Sequence, residues 1–389
     1  MIIMQSIYLD HAATTPIDPR VLEAMMETSG TVWGNPSSIH SFGRQARRKI
    51  EEARASVAEL IGARLEEEIF FTSGGTEADN LAVIGASSYW LAGHASGRII
   101  TSPVEHHAVL HACQYVERQM PIRVEDLPVD GEGRVLKQLP DCDRNSVFFM
   151  SVMLANNEVG TIQPIRELAE LAHEHGWIMH TDAVQAVGQI QVDVMELGVD
   201  LLSLSGHKIY GPKGVGALYV RKGTRLHSML QGGSQERRLR PGTENLTGII
   251  GLGVAARLAQ RELEQRSRHM TRLREHFWQK LQEMVPDVTL NGAVSDRLPN
   301  NVNVSFKDLP GEQLLLQLDL SGVAASSGSA CTAGSIDPSH VLIAMGKSKE
   351  EAQSAIRFTL GKDTTEEEID LAVQIIQQSV DRIHSRLMK

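Results

Sequence analysis

Three short stretches combine residue types that chemistry needs. Ser203-Leu-Ser-Gly-His-Lys208 ends a strand-like run in a small-residue turn that presents His207 and Lys208. A lysine leaving a strand end is a candidate for Schiff-base formation. A surface lysine closing a strand is the plainer alternative, and this stretch alone favours it. Trp177-Ile-Met-His-Thr-Asp182-Ala-Val-Gln185 ends an apolar strand in an acid. A carboxylate there can pair with a protonated pyridine nitrogen, and Gln185 faces the same side in a helical turn. Alone, Asp182 reads as a helix N-cap. Phe71-Thr-Ser-Gly-Gly-Thr76-Glu-Ala-Asp-Asn80 runs from strand through glycine turn to helix start. Free N–H groups at such a start can hold a phosphate. No Gly-Lys-Ser/Thr follows Gly74-Gly75, so a nucleotide-binding reading lacks its lysine.

Phosphate cradle, ring-nitrogen partner and lysine occur in that chain order, each at a strand end. A pyridoxal-phosphate enzyme requires this set, so pyridoxal 5'-phosphate is the expected cofactor.

The chain has three cysteines, Cys113, Cys142 and Cys331, too few and too widely spaced for a disulfide framework. Without a C-x-x-C pair, they fit a reducing cytoplasm. A lone cysteine is usually a buried small hydrophobe. Cys331 sits instead in Ser321–Ser335, a run of Ser, Gly, Ala and Thr broken only by Val323, Cys331 and nothing larger. Such a run builds little core and is expected to be mobile. Cys113, in a helical pattern, and Cys142, after Pro140, read as structural. His107 and His111, four residues apart, raise a zinc alternative around His106, but no third-ligand motif follows, and no metal is expected.

The elements that must position these residues alternate. Strand-like runs are Ile69–Thr72, Arg98–Thr101, Arg123–Leu127, Val147–Met150, Trp177–Thr181, Leu201–Ser205 and Gly216–Val220. Helical patterns between them include Gly43–Ile61, Glu77–Leu91, Ala108–Arg118 and Pro164–His175. This predicts a mostly parallel sheet covered on both faces, with ligands at the carboxyl ends of its strands. A long helix from Thr247 to about Met284 leads to a smaller α/β unit holding Asn301–Phe306 and a helix Thr365–Met388. Ser339–Met345 reads as a helix with Pro338 near its start.

The 389 residues imply about two to three domains. An apolar share of 42% and a charged share of 22% exclude disorder. Lys plus Arg is 38 against 48 Asp plus Glu, and this net −10 argues against general nucleic-acid or anionic-membrane binding. No run of about 18 apolar residues predicts a membrane span, and Met1–Asp10 does not read as a signal peptide.

The ordered motifs resemble those of the cysteine desulfurases of the NifS/IscS family, within the fold-type-I, aminotransferase-like pyridoxal-phosphate enzymes. They are Tyr8-Leu-Asp-His-Ala-Ala-Thr-Thr15, Gly34-Asn-Pro-Ser-Ser-Ile-His40, Thr72-Ser-Gly-Gly-Thr-Glu-Ala-Asp-Asn80, Glu105-His106 and Asn156-Asn-Glu-Val-Gly160. They continue with His180-Thr-Asp-Ala-Val-Gln185, Ser205-Gly-His-Lys-Ile-Tyr-Gly-Pro-Lys213, Arg240-Pro-Gly-Thr-Glu-Asn245, Ser327-Gly-Ser-Ala-Cys-Thr332 and Arg357-Phe-Thr-Leu-Gly361.

The resemblance implies an α/β fold. Residues 15–260 would form a large cofactor-binding domain with a mostly parallel seven-stranded sheet flanked by helices. Residues 1–14 and 261–389 would form a small α/β domain carrying a cysteine loop at about 321–335. It implies that Lys208 holds the cofactor and moves protons, Asp182 pairs with the ring nitrogen, His106 stacks on the ring and Gln185 reaches the ring hydroxyl. Gly75, Thr76, Ser205, Gly206 and His207 would bind the phosphate, with Thr243 of a neighbouring subunit, and Asn156 would lie against the cofactor. Arg357 would clamp the substrate carboxylate, with Asn35 beside it. A guanidinium binds a carboxylate with two hydrogen bonds, which lysine cannot copy.

The implied reaction converts L-cysteine to L-alanine, with the sulfur carried by Cys331 as a persulfide. Only a thiolate is competent, so a proton acceptor is needed, and His106 is a candidate. The run Ala324–Ser335 resembles the long-loop subtype, which passes persulfide to a partner protein. Arg237-Arg238-Leu-Arg-Pro-Gly-Thr-Glu-Asn resembles the NifS-like and Bacillus-type branch. A homodimer is implied, with an iron–sulfur scaffold or a tRNA-thiolating enzyme as acceptor. A selenocysteine lyase, an aminotransferase and an inactive scaffold of the same fold are the rivals.

Overall fold

The computed structural model describes residues 6–327 and 338–387. Cys331, with residues 328–335 of the small-residue run, lies outside the described residues.

The strands, numbered in chain order, are β1 (Ile7–Tyr8), β2 (Ile69–Thr72), β3 (Gly97–Thr101), β4 (Ile122–Asp126), β5 (Val147–Ser151) and β6 (Ile178–Asp182). They continue as β7 (Leu201–Ser205), β8 (Gly216–Val220), β9 (Val288–Asn291), β10 (Asn301–Phe306), β11 (Val323–Ala324) and β12 (Ala355–Thr359). Seven of them form the main sheet, in the order β2-β8-β7-β6-β5-β3-β4. Only β8 runs against its neighbours, β2 and β7. The other six therefore share one direction, and their carboxyl ends share one edge. Asp182, Ser205 and the turns after Thr72, Thr101 and Ser151 all emerge there.

The two covering layers can be read from alternation along the strands. Ile100, Met150, Leu202 and Ala217 face a core shared with Ile50 and Val57 of the helix Ser41–Leu60 and with Leu168 and Ala172 of the helix Ile165–Glu174. Their neighbours Ile99, Phe149, Leu201 and Leu218 face the opposite core, against Leu81 and Ala82 of the helix Gly75–Leu91 and Val109 and Val116 of the helix His107–Gln119. Successive side chains on a strand point to opposite faces, so every position of β5, β7 and β8 is buried.

The helix Leu246–Met284 joins this body to a second core. Ile249, Leu252 and Ala256 pack on the main sheet. Leu273, Phe277 and Leu281 pack with Ile356, Phe358, Ile369 and Val373 under the antiparallel sheet β12-β10-β9. Its 39 residues span about 58 Å at ~1.5 Å per residue. The amino-terminal arm reaches the same second core. Ile7 and Tyr8 pair in parallel with Val323 and Ala324, and Asp10 bridges Thr359.

The seven expected main-sheet strands are present, with ends differing by a residue. The helices Pro19–Thr31 and Gly311–Leu320 and the strands β9 and β12 were not expected. β12 reads Ala-Ile-Arg-Phe-Thr, a short run interrupted by a charge that the fold buries. The start of the small-residue run is anchored rather than loose. Val323 is 1% exposed in the second core, and Ser326 exchanges backbone hydrogen bonds with Arg357. One buried valine and a strand partner suffice to anchor it.

Candidate active site

Asp182 is the last residue of β6 and is 4% exposed. Its Oδ1 accepts the Val184 N–H at 2.8 Å. Burial pushes its carboxyl up to about 6, against the opposing pull of that N–H and of the Lys208 charge. A buried carboxylate in this state gains from a cationic partner.

Asp79 and His106 stand beside it, with one polar atom from each of the three within 4.8 Å of the others. Asp79 projects from the helix Gly75–Leu91, and its Oδ1 has no hydrogen-bond partner among the described residues, with His180 Nε2 at 3.7 Å. Burial, then the nearness of Asp182, raises its carboxyl well above the usual range. Two adjacent buried carboxyls do not both ionise cheaply, so burial and mutual repulsion hold the pair back from carrying two charges. That arrangement suits one protonated ring nitrogen. Behind Asp79, His180 Nε2 lies 3.1 Å from Ser203 Oγ, and His180 Nδ1 lies 2.8 Å from Ser151 Oγ. Burial lowers the His180 ring to about 3, so this layer is neutral.

His106 caps the helix His107–Gln119, its Nδ1 accepting the Ala108 N–H at 3.1 Å. Burial, then the Lys208 charge, lowers it to about 4. A neutral imidazole results, which can lie on an aromatic ring without charge repulsion. The preceding Glu105 is fully buried, and burial raises it to about 8. Its Oε1 accepts from Ser102 Oγ at 2.7 Å and from the Met153 N–H at 2.8 Å.

Lys208 closes the short turn Gly206–Lys208 after β7. Its Nζ donates to the carbonyl oxygens of Ala12 and, at 2.9 Å, of Ala13. Gln185 Nε2 donates to the Ala12 oxygen at 3.0 Å. Thr15 Oγ1 donates to the His207 carbonyl at 2.9 Å, and His207 Nδ1 lies 3.2 Å from Thr14 Oγ1. The arm 12–15 thus lies along the lysine turn. Burial, then Lys208, lowers the His207 ring to about 4, leaving it able to donate one neutral N–H.

The expected phosphate cradle falls at the start of the helix Gly75–Leu91. No side chain caps it, so its first N–H groups remain available. A Cβ on Gly75 would meet Val184 Cγ2 at 2.7 Å and Ser205 Cβ at 3.6 Å. Only glycine lets this helix start pack against the Asp182 and Lys208 turns. Gly216, facing in from β8, is held the same way: its Cβ would lie 2.6 Å from the Leu204 oxygen. Thr76 is exposed at this mouth, while Ser205 and Gly206 are buried. Uncapped helix start, buried carboxylate, neutral imidazole and lysine together fit pyridoxal phosphate.

Asn156 is fully buried and spends its side chain on the backbone. Nδ2 donates to the Val104 oxygen at 2.8 Å, and Oδ1 accepts from the N–H groups of Glu158 and Val159. It therefore ties the turn after β5 to the turn that carries His106. Thr243 is exposed, in a loop fastened to the cradle by Arg240 Nε donating to Glu77 Oε1 at 2.8 Å.

Arg357, on β12, is 4% exposed. Nη1 donates to the Asn157 oxygen and Nη2 to Asp10 Oδ1, both at 2.9 Å. Its Nε has no partner among the described residues. Asn35 is exposed, and its Oδ1 accepts the N–H of Ser37 at 2.8 Å. No contact among the described residues brings it to Arg357.

The two stems of the Cys331 segment end at this site. Ser326 pairs with Arg357, Ser339 Oγ donates to Glu158 Oε2 at 2.5 Å, and His340 Nε2 lies 2.9 Å from the Glu105 oxygen. Cys331 is five residues from Ser326 in sequence, a reach of at most about 18 Å. Cys113 is 2% exposed and its thiol is pushed far above the usual range by burial; Cys142 is raised as well.

Asp79, Glu105 and Asp10 were quoted in motifs but given no role by the sequence reading. The available signal for Asp79 was an acid just before the apolar run Leu81–Ala86 of its helix.

A sequence model of the class-V aminotransferase family matches residues 7–372. "Cysteine desulfurase IscS" of Dictyoglomus turgidum is 49% identical over 383 residues, covering 98% of this chain and 96% of the relative. A solved "NifS-like protein" superposes with a TM-score of 0.89 at 36% identity, covering 97% of this chain and all of that one. The solved "SspA in complex with cysteine" superposes at 0.81 with 34% identity, over 92% of this chain and all of that one.

Proposed function

We propose a residue-level account for a chain that belongs to the class-V aminotransferase family and is a pyridoxal-phosphate-dependent cysteine desulfurase. In this account Lys208, Asp182, Gln185, His106 and the cradle of Gly75, Thr76, Ser205, Gly206 and His207 hold the cofactor. Arg357 holds the substrate carboxylate and Cys331 takes the sulfur. The observation that carries it is the meeting of the Lys208 and Asp182 strand ends at one sheet edge, with Arg357 at the stem of the Cys331 segment.

When bound, pyridoxal phosphate supplies an aldehyde for the substrate amine and a protonated ring that withdraws electrons from the substrate α-carbon. Asp182 keeps the ring nitrogen protonated by lending it the one charge of the buried acidic pair. Neutral His106 covers the ring face. Lys208 Nζ, steered by the Ala12 and Ala13 carbonyls, takes the substrate α-proton and returns protons. Arg357 fixes the carboxylate and with it the direction of the thiol. The Cys331 thiolate attacks the substrate sulfur, the carbon–sulfur bond breaks, and alanine leaves after protonation. Cys331 then carries a persulfide.

We assign the division into 15–260 and 1–14 plus 261–389 to the same proposal; the second core around Phe277 and Phe358 supports it, while Leu298, Val341, Leu342 and Ala352 of the smaller part pack into the main-sheet core. A homodimer belongs to it too. Trp33 is 70% and Ile39 91% exposed, and Trp33 stacks on half-exposed Phe42, an apolar patch suited to a second copy. Among the described residues no helix is long and apolar enough to cross a membrane. A persulfide carrier needs a reduced thiol, which favours the cytoplasm.

The test is sulfide and alanine release from L-cysteine under reductant. Cys331→Ala should keep its colour and still bind cysteine but release no sulfide. Normal turnover by that variant would sink the assignment. Offering the loaded enzyme an iron–sulfur scaffold and a tRNA-thiolating enzyme side by side identifies the acceptor; the relatives named IscS favour the scaffold.

A further inference from the structure

The proposed carboxylate clamp is not idle in the substrate-free chain. Arg357 already bonds Asp10, and neither partner can easily withdraw. Nη1 is fixed on the Asn157 oxygen at 2.9 Å, and the Arg357 backbone is paired with Ser326. Asp10 sits between two backbone bonds along the same strand. The Thr359 N–H donates to the Leu9 oxygen at 2.7 Å, and the His11 N–H donates to the Thr359 oxygen at 3.3 Å. Tyr8 Oη, donating to the Asp10 carbonyl at 3.1 Å, holds it further.

A guanidinium presents Nε–H and one Nη–H as a parallel fork for a carboxylate. Nε is the donor of Arg357 without a partner among the described residues, so a substrate carboxylate can use the fork only by sharing or taking Nη2 from Asp10. Two carboxylates at one nitrogen are held within a few ångströms of each other, and like charges at that distance repel strongly away from bulk water. The same arm supplies the Ala12 and Ala13 carbonyls to Lys208, so residues 10–13 touch both groups that an amino-acid substrate must engage.

We propose that Asp10 is a built-in competitor for the substrate carboxylate: it occupies Arg357 when the site is empty and weakens the binding of every amino acid there, the product alanine included. This rests on the reading of Arg357 as the clamp. Asp10 is a specificity-determining residue under this proposal. It limits product retention and disfavours carboxylic acids that have no amine for the cofactor aldehyde.

The experiment is equilibrium binding of L-alanine to the holoenzyme, read from its visible spectrum, alongside the KM for L-cysteine. Asp10→Asn keeps the shape and removes the charge. It should tighten L-alanine and lower the KM at least about fivefold, and Asp10→Ser should act in the same direction. L-alaninamide, which lacks the carboxylate, should gain nothing. Unchanged or weaker L-alanine binding in both variants, with circular dichroism unchanged, overturns the proposal, as does an equal gain for the amide. Loss of fold in one variant leaves the other to decide, and loss in both overturns it in favour of a structural ion pair. Arg357→Lys separates the premise. If that variant binds L-alanine normally, the clamp reading itself fails. If it binds poorly while the Asp10 variants do not tighten, only the competitor claim fails.

Discussion

Ser326 and Arg357 exchange both backbone hydrogen bonds, N–H to oxygen at 3.1 and 2.7 Å. The chain leading into Cys331 therefore departs from the strand that carries the proposed carboxylate clamp. Fixing the substrate and launching the thiol share one anchor. Arg357→Lys should raise the KM for L-cysteine about 10- to 100-fold, because a charged, two-pronged contact contributes roughly 1.5–3 kcal/mol and lysine keeps only part of it. A KM within twofold of the parent in steady-state kinetics would remove Arg357 from the substrate site.

The acidic pair separates two roles that the sequence does not distinguish. Asp182→Asn deletes the one charge and should lower turnover about 100- to 1000-fold while leaving the fold intact. Asp79→Asn imitates the protonated acid that burial enforces, and should cost less than about tenfold. Turnover numbers of the two holoenzymes under saturating L-cysteine check both. Equal losses would mean that the charge is shared.

Glu105 makes a pH prediction with a definite sign. Its folded value, about 8, lies above the ordinary 4.5. The folded protein keeps a proton that the unfolded chain has released, so this contribution is full below about pH 4.5 and is lost as the pH rises to about 8. Glu105→Gln keeps the contacts with Ser102 and Met153 and has no proton to lose. It should be more stable than the parent at about pH 8, on the order of 2–4 kcal/mol, and the two should converge near about pH 5. Urea midpoints across that range decide it, and parallel curves would show that Glu105 is ionised throughout.

Thr243 is exposed on its own chain, as a residue serving a neighbour must be. Lys208→Ala should lose the visible band and at least about a thousandfold of turnover. Thr243→Ala should weaken cofactor retention. Mixed dimers of the two variants contain one site with both residues intact, and should recover activity toward half that of the parent dimer. No recovery on subunit exchange would place Thr243 in its own chain's site.

Much of the main sheet was legible because its strands are short apolar runs between amphipathic helices, and periodicity reports burial directly. Asp182 ends such a run and Lys208 lies three residues past another, and it was the three clusters in order, not either position alone, that singled them out. β12 was not legible. Its arginine breaks the apolar pattern, and only the fold reveals that Asp10 and the Asn157 carbonyl meet that charge. Asp79 and Glu105 escaped for a related reason. A buried acid is recognised by what surrounds it, and Asp182 beside Asp79 and the Met153 N–H on Glu105 come from far away in sequence. Asn35 is a different case. Its motif resembled a family element, and in this chain its Oδ1 accepts from the Ser37 N–H of its own turn.

One measurement reaches the centre of the account. The holoenzyme is mixed briefly with L-cysteine, its thiols are alkylated, and each cysteine peptide is weighed. The account predicts one extra sulfur atom on the peptide containing Cys331 and none on those containing Cys113 or Cys142. Sulfur on either of the other two, or sulfide released with no modified peptide at any time, would contradict it.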